Sequence, residues 1–170
     1  MNGILKTIDA ICDAGAAVAG VLLLALFALG FAEVLMRDLF DISLSFAIEY
    51  GGYLLILVLF LGSGWTLRQG AHIRVNLLSA RLSPAAQRAL DIACTAVALV
   101  IAVFVAAAVV RYGLGTLARG TRSYFPSATP LAIPQLAFAV GPCILALALV
   151  ARLIRLARGE AGDLGRPAQD

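Results

Sequence analysis

The residues of this chain that could take part in chemistry are few and far apart. His72 is the single histidine, and the three cysteines, Cys12, Cys94 and Cys143, stand alone without the spacing of metal ligands. One histidine cannot supply both axial ligands of a bis-histidine haem site. The sequence also contains no recognisable phosphate-binding loop and no nucleophile paired with a base. We therefore expect no catalytic, cofactor-binding or metal-binding residues, and no enzyme activity.

One carboxylate within an apolar stretch is a further chemical candidate. Ionisable groups in membrane spans usually mark function, and Glu33 could couple transport to protons in a small four-helix multidrug exporter. Nineteen uncharged residues precede Glu33. They correspond to roughly 28 Å of helix, which places the carboxylate near one membrane interface, whereas a coupling group should lie near mid-span. The proton-coupled exporter is the alternative function.

Composition predicts what positions these groups. The chain is 62% hydrophobic and 14% charged, whereas about a quarter of the residues in soluble proteins are charged. Each of its four long uncharged runs can cross a hydrocarbon core of about 30 Å, which needs about 20 helical residues. These runs are 14–32, 50–67, 92–110 and 123–151. We predict an all-α membrane protein with a single four-helix domain over residues 1–159. Its spans should lie at about 14–36, 46–67, 89–112 and 131–156.

The first run could also be a secretory signal, since Lys6 precedes it. Asp9 and Asp13 do not fit a basic n-region, and the run is longer than the usual h-region of about 7–15 residues. We expect it to remain in the mature chain. Polar residues recur at helical spacing before it, while Ile4, Leu5, Ile8 and Ile11 take the opposite face. The N-terminus should therefore be an amphipathic interfacial helix, and residues 160–170 should be a disordered tail.

The distribution of basic residues predicts the orientation. With four spans, both termini and the 68–91 connection share one side of the membrane. Nine basic residues fall on that side: Lys6, Arg68, Arg74, Arg81, Arg88, Arg152, Arg155, Arg158 and Arg166. Four fall on the other side: Arg37, Arg111, Arg119 and Arg122. The positive-inside rule then places both termini in the cytoplasm.

Local signals predict where the later helices begin and end. Ser83 followed by proline is a helix start, and the third helix should run from 84 to about 112, before Gly113 and Gly115. The fourth helix contains Gly141 and Pro142, where we expect a kink.

Two further patterns concern the surfaces of these helices. The fourth helix ends in an arginine cluster that suits a helix C-terminus at an anionic inner leaflet: Arg152, Arg155 and Arg158. On the third helix, residues spaced by four could form a small-residue seam for close helix packing: Cys94, Ala98, Ala102 and Ala106. Alternatively, the spacing only reflects how common alanine is in this chain.

A family resemblance comes from the order of features between the first span and residue 83. An arginine ends the first span, a glutamate opens the second, and an FLG segment at 60–62 and the stretch GAHIRVNLL at 70–78 follow. The marker residues are Arg37, Glu49, Gly70, His72 and Arg74, with Ile73 and Val75 beside them. This order resembles the small membrane subunit (DctQ-like) of the tripartite ATP-independent periplasmic (TRAP) transporters. The later stretch TPLAIPQLAFAVGP, at 129–142, is similar to that family's proline-containing entry to its fourth helix.

Three positions depart from the family pattern. Asp38 stands where an aromatic residue is usual, Ile48 replaces one member of a glutamate pair, and Asn76 stands where the family usually has aspartate. Asn and Asp both cap helix N-termini well. Asn76 is therefore interpreted as a cap that starts a short helix, in a cytoplasmic turn that Gly70 allows. The alternative is that 70–78 is a generic polar linker.

The resemblance implies a scaffold subunit of a secondary transporter in the bacterial inner membrane. A large permease subunit would hold the organic-acid and sodium sites, and a periplasmic binding protein would deliver the substrate. The small subunit would enlarge and brace the static part of the complex. The expected partners are therefore these two proteins and membrane lipid, and we expect no binding to nucleic acid.

The two connections on the predicted periplasmic side carry opposite charge. Glu33, Asp38, Asp41 and Glu49 surround the first connection, against Arg37 alone. The second connection carries basic residues and no acid: Arg111, Arg119 and Arg122. These three arginines are candidates for docking the binding protein, because complementary surface charge sets encounter rate and register. The alternative is that the two groups of charges pair with each other inside the subunit.

Overall fold

The computed structural model describes residues 2–70 and 83–160. These residues form four α-helices, which are α1 (Asn2–Phe40), α2 (Ala47–Arg68), α3 (Pro84–Arg119) and α4 (Ala132–Ala157). Each helix is long and apolar enough to cross a membrane. For these residues, the prediction of an all-α fold with four helices long and apolar enough to span a membrane is confirmed. The cytoplasmic location of both termini and the disorder of the tail stay predictions, and residues 161–170 lie outside the described part.

α1 is a single continuous helix of 39 residues. At 1.5 Å per residue it is about 58 Å long, nearly twice the hydrocarbon core of a bilayer. The residues predicted to form an interfacial helix are the first turns of α1. Leu5 and Ile8 from the expected apolar face are buried in the protein, while Ile4 and Ile11 are exposed. Placement of these turns in the membrane interface stays a prediction.

The helices pack in the order α1, α2, α4, α3. α2 lies between α1 and α4, α3 packs along α4, and α4 also contacts α1. α4 is consequently the most buried of the four helices. The hydrophobic core is formed by small and aliphatic side chains from all four helices, among them Cys12, Leu61, Ala102, Ile144 and Ala148.

The two ends of α3 compare differently with the sequence prediction. Its start is confirmed, because Ser83, the residue before Pro84, caps the helix. The Ser83 hydroxyl accepts a hydrogen bond from the Ala86 amide at 3.4 Å. The predicted end near residue 112 is wrong, since α3 continues to Arg119. The helix continues through Gly113, and this glycine allows α3 to approach α4 closely. A Cβ atom there would lie 2.8 Å from Cδ2 of Leu136.

The buried side of α3 differs from the small-residue seam that spacing by four predicts. Ala102 and Ala106 are buried as expected, but Cys94 is exposed. Thr95 is buried instead of its neighbour. The small-residue seam is therefore present at Ala102 and Ala106, where α3 is buried. The prediction that Cys94 belongs to it is wrong.

α2 and α4 approach each other closely where a kink was expected. α4 continues through Pro142, which is buried. A Cβ atom on Gly141 would lie 2.5 Å from Cβ of Phe60, so only glycine allows this spacing. The rings of Phe60 and Phe138 meet edge to face with centroids 4.6 Å apart. Gly141 thus serves helix packing.

Candidate functional site

Polar and charged side chains gather at the two ends of the helix bundle. One end, which we name the Asp9 end, holds the start of α1 and the ends of α2 and α4. The opposite end, the Glu49 end, holds the α1–α2 and α3–α4 connections. Along α2, Glu49 and Arg68 are roughly 28 Å apart, which matches the thickness of a hydrocarbon core. The two ends therefore suit the two interfaces of one bilayer.

At the Glu49 end, Glu33 fastens the α1–α2 connection to α1. Its carboxylate accepts hydrogen bonds from the Ser43 hydroxyl at 2.9 Å and from the Leu44 backbone amide at 2.6 Å. It also pairs with Arg37, one turn later in the same helix. The carboxylate that could have served proton coupling is thus engaged by a loop and an arginine at the end of the span.

Glu49 lies at the start of α2 and is only 4% exposed. Its carboxylate accepts hydrogen bonds from the Tyr53 hydroxyl at 2.7 Å and from the Ser127 hydroxyl, which comes from the α3–α4 connection. The first turn of α2 makes a second contact with the α3–α4 connection, since the hydroxyls of Tyr50 and Thr129 are 3.1 Å apart. These contacts hold the α3–α4 connection against α2.

The α3–α4 connection forms a short hairpin over residues 121–131. The Ser123 amide donates to the Thr129 carbonyl at 2.9 Å, and the Leu131 amide donates to the Thr121 carbonyl at 3.1 Å. Ala128 adopts a left-handed conformation with φ of 45°, which is unfavourable for a residue with a side chain. The 121–131 hairpin is therefore ordered by contacts within itself and by those with α2.

The three docking candidates are exposed. Within residues 2–70 and 83–160, none of them forms an ion pair with a carboxylate: Arg111, Arg119 and Arg122. The predicted alternative, pairing between the two connections, is thus not found among these residues. Arg122 instead donates to the Ala128 carbonyl at 3.2 Å. Arg111 and Arg119 line one side of an open groove along α3 together with Phe104 and Tyr112.

At the Asp9 end, buried ion pairs join three helices. Arg155 of α4 donates to both oxygens of Asp9 at 2.8 and 2.7 Å, and its side chain is 5% exposed. Arg68 of α2 lies 3.3 Å from Asp9 and 3.0 Å from Asp13, and its side chain is 9% exposed. Sequence reasoning included Arg155 in an arginine cluster suited to an anionic leaflet. In the structure Arg155 is buried and pairs with Asp9, because α1 extends far enough to bring Asp9 beside it. The position of the cluster relative to the membrane stays a prediction.

The same end is closed by an arginine from α3. Arg88 donates two hydrogen bonds to the Leu156 carbonyl, at 3.1 and 2.7 Å, and one to the Ala157 carbonyl at 3.2 Å. The last carbonyls of a helix have no partner within it, and a guanidinium satisfies them well. Arg88 therefore ties the start of α3 to the end of α4.

The three marker residues of the family pattern that the structure describes do not come together in one site. Arg37 and Glu49 lie at the Glu49 end in separate networks. Gly70 follows α2 at the Asp9 end, with φ of 69°. His72, Arg74 and Asn76 lie outside the described residues, and the proposed roles of Arg74 and Asn76 stay predictions.

Sequence reasoning did not identify the Asp9 cluster or the hydroxyl partners of Glu49. Asp9 and Asp13 are one turn apart near the start of the first helix, and Arg68 and Arg155 lie near the ends of two other helices. Their positions at the same end of the predicted bundle were the signal that could have suggested these pairs. The described polar groups fasten connections and helix ends, while Arg111, Arg119 and Arg122 are exposed.

The comparison with protein families agrees with this picture. The family model described as "Tripartite ATP-independent periplasmic transporters, DctQ component" matches residues 26–159. That range includes α1 from residue 26 to its end and all of α2, α3 and α4. A search of curated proteins gave no match.

Proposed function

The chain belongs to the DctQ family of TRAP transporter components, and on that premise we propose that it is the scaffold subunit of a sodium-coupled importer of an organic acid. Its partners are a large permease subunit and a periplasmic binding protein. The match over residues 26–159 is the observation that carries this proposal.

The distribution of polar groups supports a bracing role. The described charged side chains that form ion pairs lie at the two ends of the bundle. Hydroxyls within the spans bond to their own helix, as Thr66 does to the Gly62 carbonyl at 2.9 Å and Thr95 to the Asp91 carbonyl at 2.6 Å. These hydroxyls donate their protons within their own helices, so those protons are not available to hydrogen-bond the oxygens of an organic acid. The family assignment leads us to expect the substrate and sodium sites in the large permease.

The basic-residue count supports an orientation with both termini in the cytoplasm of a bacterial cell, in the inner membrane. In that orientation the Asp9 end faces the cytoplasm and the Glu49 end faces the periplasm. The exposed arginines Arg111, Arg119 and Arg122 then face the compartment in which the binding protein moves. Their lack of carboxylate partners among the described residues leaves them available to an acidic patch on that protein.

Co-purification tests the assembly. An affinity tag on this chain should recover a large multi-span membrane protein from native membranes in mild detergent. The recovered complex, reconstituted in liposomes with sodium and the binding protein, should take up the organic acid. A tagged chain that is recovered alone, and that exchanges a cationic drug for protons in liposomes, would contradict the proposal and favour the exporter.

A further inference from the structure

The 121–131 hairpin depends on one buried residue outside it. Glu49 belongs to α2, yet its carboxylate accepts a hydrogen bond from Ser127 near the turn of the hairpin. Thr129 extends this contact, since its hydroxyl lies 3.1 Å from both the Ser127 hydroxyl and the Tyr50 hydroxyl. Two hairpin residues, Ser127 and Thr129, are thus held by the first turn of α2.

The hairpin conformation needs such a support. Ala128, between the two held residues, has φ of 45°, and a non-glycine residue keeps such a conformation only where its surroundings impose it. A charge-assisted hydrogen bond to a carboxylate is roughly twice as strong as a neutral one. The buried carboxylate of Glu49 is therefore the strongest available restraint on this turn.

The hairpin carries the exposed groups of the Glu49 end. Tyr124 is fully exposed and Phe125 is 43% exposed, and they lie two and three positions after Arg122. Aromatic and arginine side chains are the residue types most enriched at binding hot spots. A surface held in one conformation before binding loses less entropy on association.

We propose that Glu49 is a positioning residue, which holds the 121–131 hairpin in the conformation that docks the periplasmic binding protein. It acts through Ser127 and does not itself contact the partner. This inference rests on the proposed function, because the docking partner is the one proposed there.

The chain contains a matched control. Glu33 is also a glutamate at the Glu49 end and also accepts a hydrogen bond from a loop serine, Ser43, at 2.9 Å. Among the described residues, its hydrogen bonds go to the α1–α2 connection and to Arg37, not to the hairpin. The variants Glu49→Gln and Ser127→Ala can therefore be compared with Glu33→Gln and Ser43→Ala, which remove the same types of group from the other connection.

Transport provides the first measurement. The complex with the large permease is reconstituted in liposomes, and uptake is measured against the concentration of the binding protein. Glu49→Gln and Ser127→Ala should each raise the half-saturating concentration by about threefold to tenfold, the range expected from loss of one preorganised contact. The maximal rate should change less than twofold. The two Glu33-side variants should leave both parameters unchanged.

Hydrogen exchange provides the second measurement, and it does not depend on transport. The amides of Ser123 and Leu131, which close the hairpin, should exchange faster in Glu49→Gln and Ser127→Ala, while the amides of α2 and α4 keep their protection. The double variant should be no worse than the more severe single variant, because both remove the same contact.

The outcomes separate the two proposals. Wild-type complex whose uptake shows no dependence on the binding protein would contradict the proposed function. A saturable wild type with an unchanged half-saturating concentration in Glu49→Gln and Ser127→Ala would overturn the positioning role. Equal effects from the Glu33-side variants would also overturn it, because the cause would then be a general loosening of this end.

Discussion

The two ends of the helix bundle are fastened by different chemistry. At the Asp9 end, carboxylates and guanidiniums from three helices pair in largely buried positions, through Asp9, Arg68 and Arg155. At the Glu49 end, each connection is held by one carboxylate, and hydroxyls are prominent among the groups bonded to it. Removal of one partner from a buried ion pair leaves an uncompensated charge, which costs more free energy of folding than the loss of one hydroxyl hydrogen bond.

This difference suggests a division of roles. The Asp9 end joins α1, α2 and α4 to one another, so its ion pairs concern the assembly of the helices. The Glu49 end places connections that carry exposed groups, so its contacts concern the shape of a surface. Substitutions at the Asp9 end should therefore act mainly on stability, and substitutions at the Glu49 end mainly on recognition.

The largest effect is expected from Asp9→Asn. This change removes the carboxylate that Arg155 and Arg68 share, although Arg68 keeps Asp13. Breaking a fully buried pair costs about 3–5 kcal/mol, and because the Asp9 side chain is 21% exposed we expect a loss of about 2–3 kcal/mol of unfolding free energy. Reversible unfolding in detergent micelles measures this loss. Asp38→Asn, which removes an exposed carboxylate from the same helix, should be neutral. Equal losses in the two variants would show that the Asp9 pairs do not fasten this end.

A smaller loss of stability is expected from Ala102→Leu on α3, which lies between the two ends of the bundle. Ala102 is 4% exposed, and added methylenes in a packed seam cost about 1–3 kcal/mol. The control is Ala107→Leu, which adds the same atoms on the exposed side of the same helix. The unfolding free energy of each variant, alone and in complex with the large permease, decides the comparison. A loss confined to Ala107→Leu would show that the exposed side of α3 carries the contact.

Arg88→Met should have a modest effect. It removes three hydrogen bonds to the last carbonyls of α4, but Arg88 is partly exposed and water can replace it, so we expect a loss of about 1 kcal/mol. Hydrogen exchange in the last turn of α4 should increase, while exchange in the first turns of α4 stays unchanged. Unchanged exchange at both ends of α4 would exclude a capping role.

The smallest effect on stability is expected from Arg119→Glu combined with Arg122→Glu. Both side chains are exposed and have no carboxylate partner in the described chain, so unfolding should change by less than about 0.5 kcal/mol. The half-saturating concentration of the binding protein should nevertheless rise, and this defect should shrink as salt screens the charges. Arg158→Glu, at the exposed end of α4, is the control. A concentration dependence that stays unchanged in the double variant would exclude docking by these arginines.

The sequence predicted most of the secondary structure because long uncharged runs leave a membrane chain few alternatives. Backbone groups in lipid must bond within their own segment, so each apolar run of sufficient length forms a helix. Ser83 and the proline after it set the start of α3 through local chemistry. The end of α3 was placed too early because a glycine in a sequence often indicates the end of a helix. Gly113 instead packs against Leu136 of another helix.

The sequence by itself determined the number of helices long and apolar enough to span a membrane, and it determined the family, because length, hydropathy and residue order are properties of one chain segment. Only the tertiary structure decided which residues meet. Arg155 and Asp9 are 146 positions apart, and Ser127 and Glu49 are 78 apart. Spacing within a helix fixes which residues share a face, but the partner of that face depends on how whole helices rotate and pack against each other.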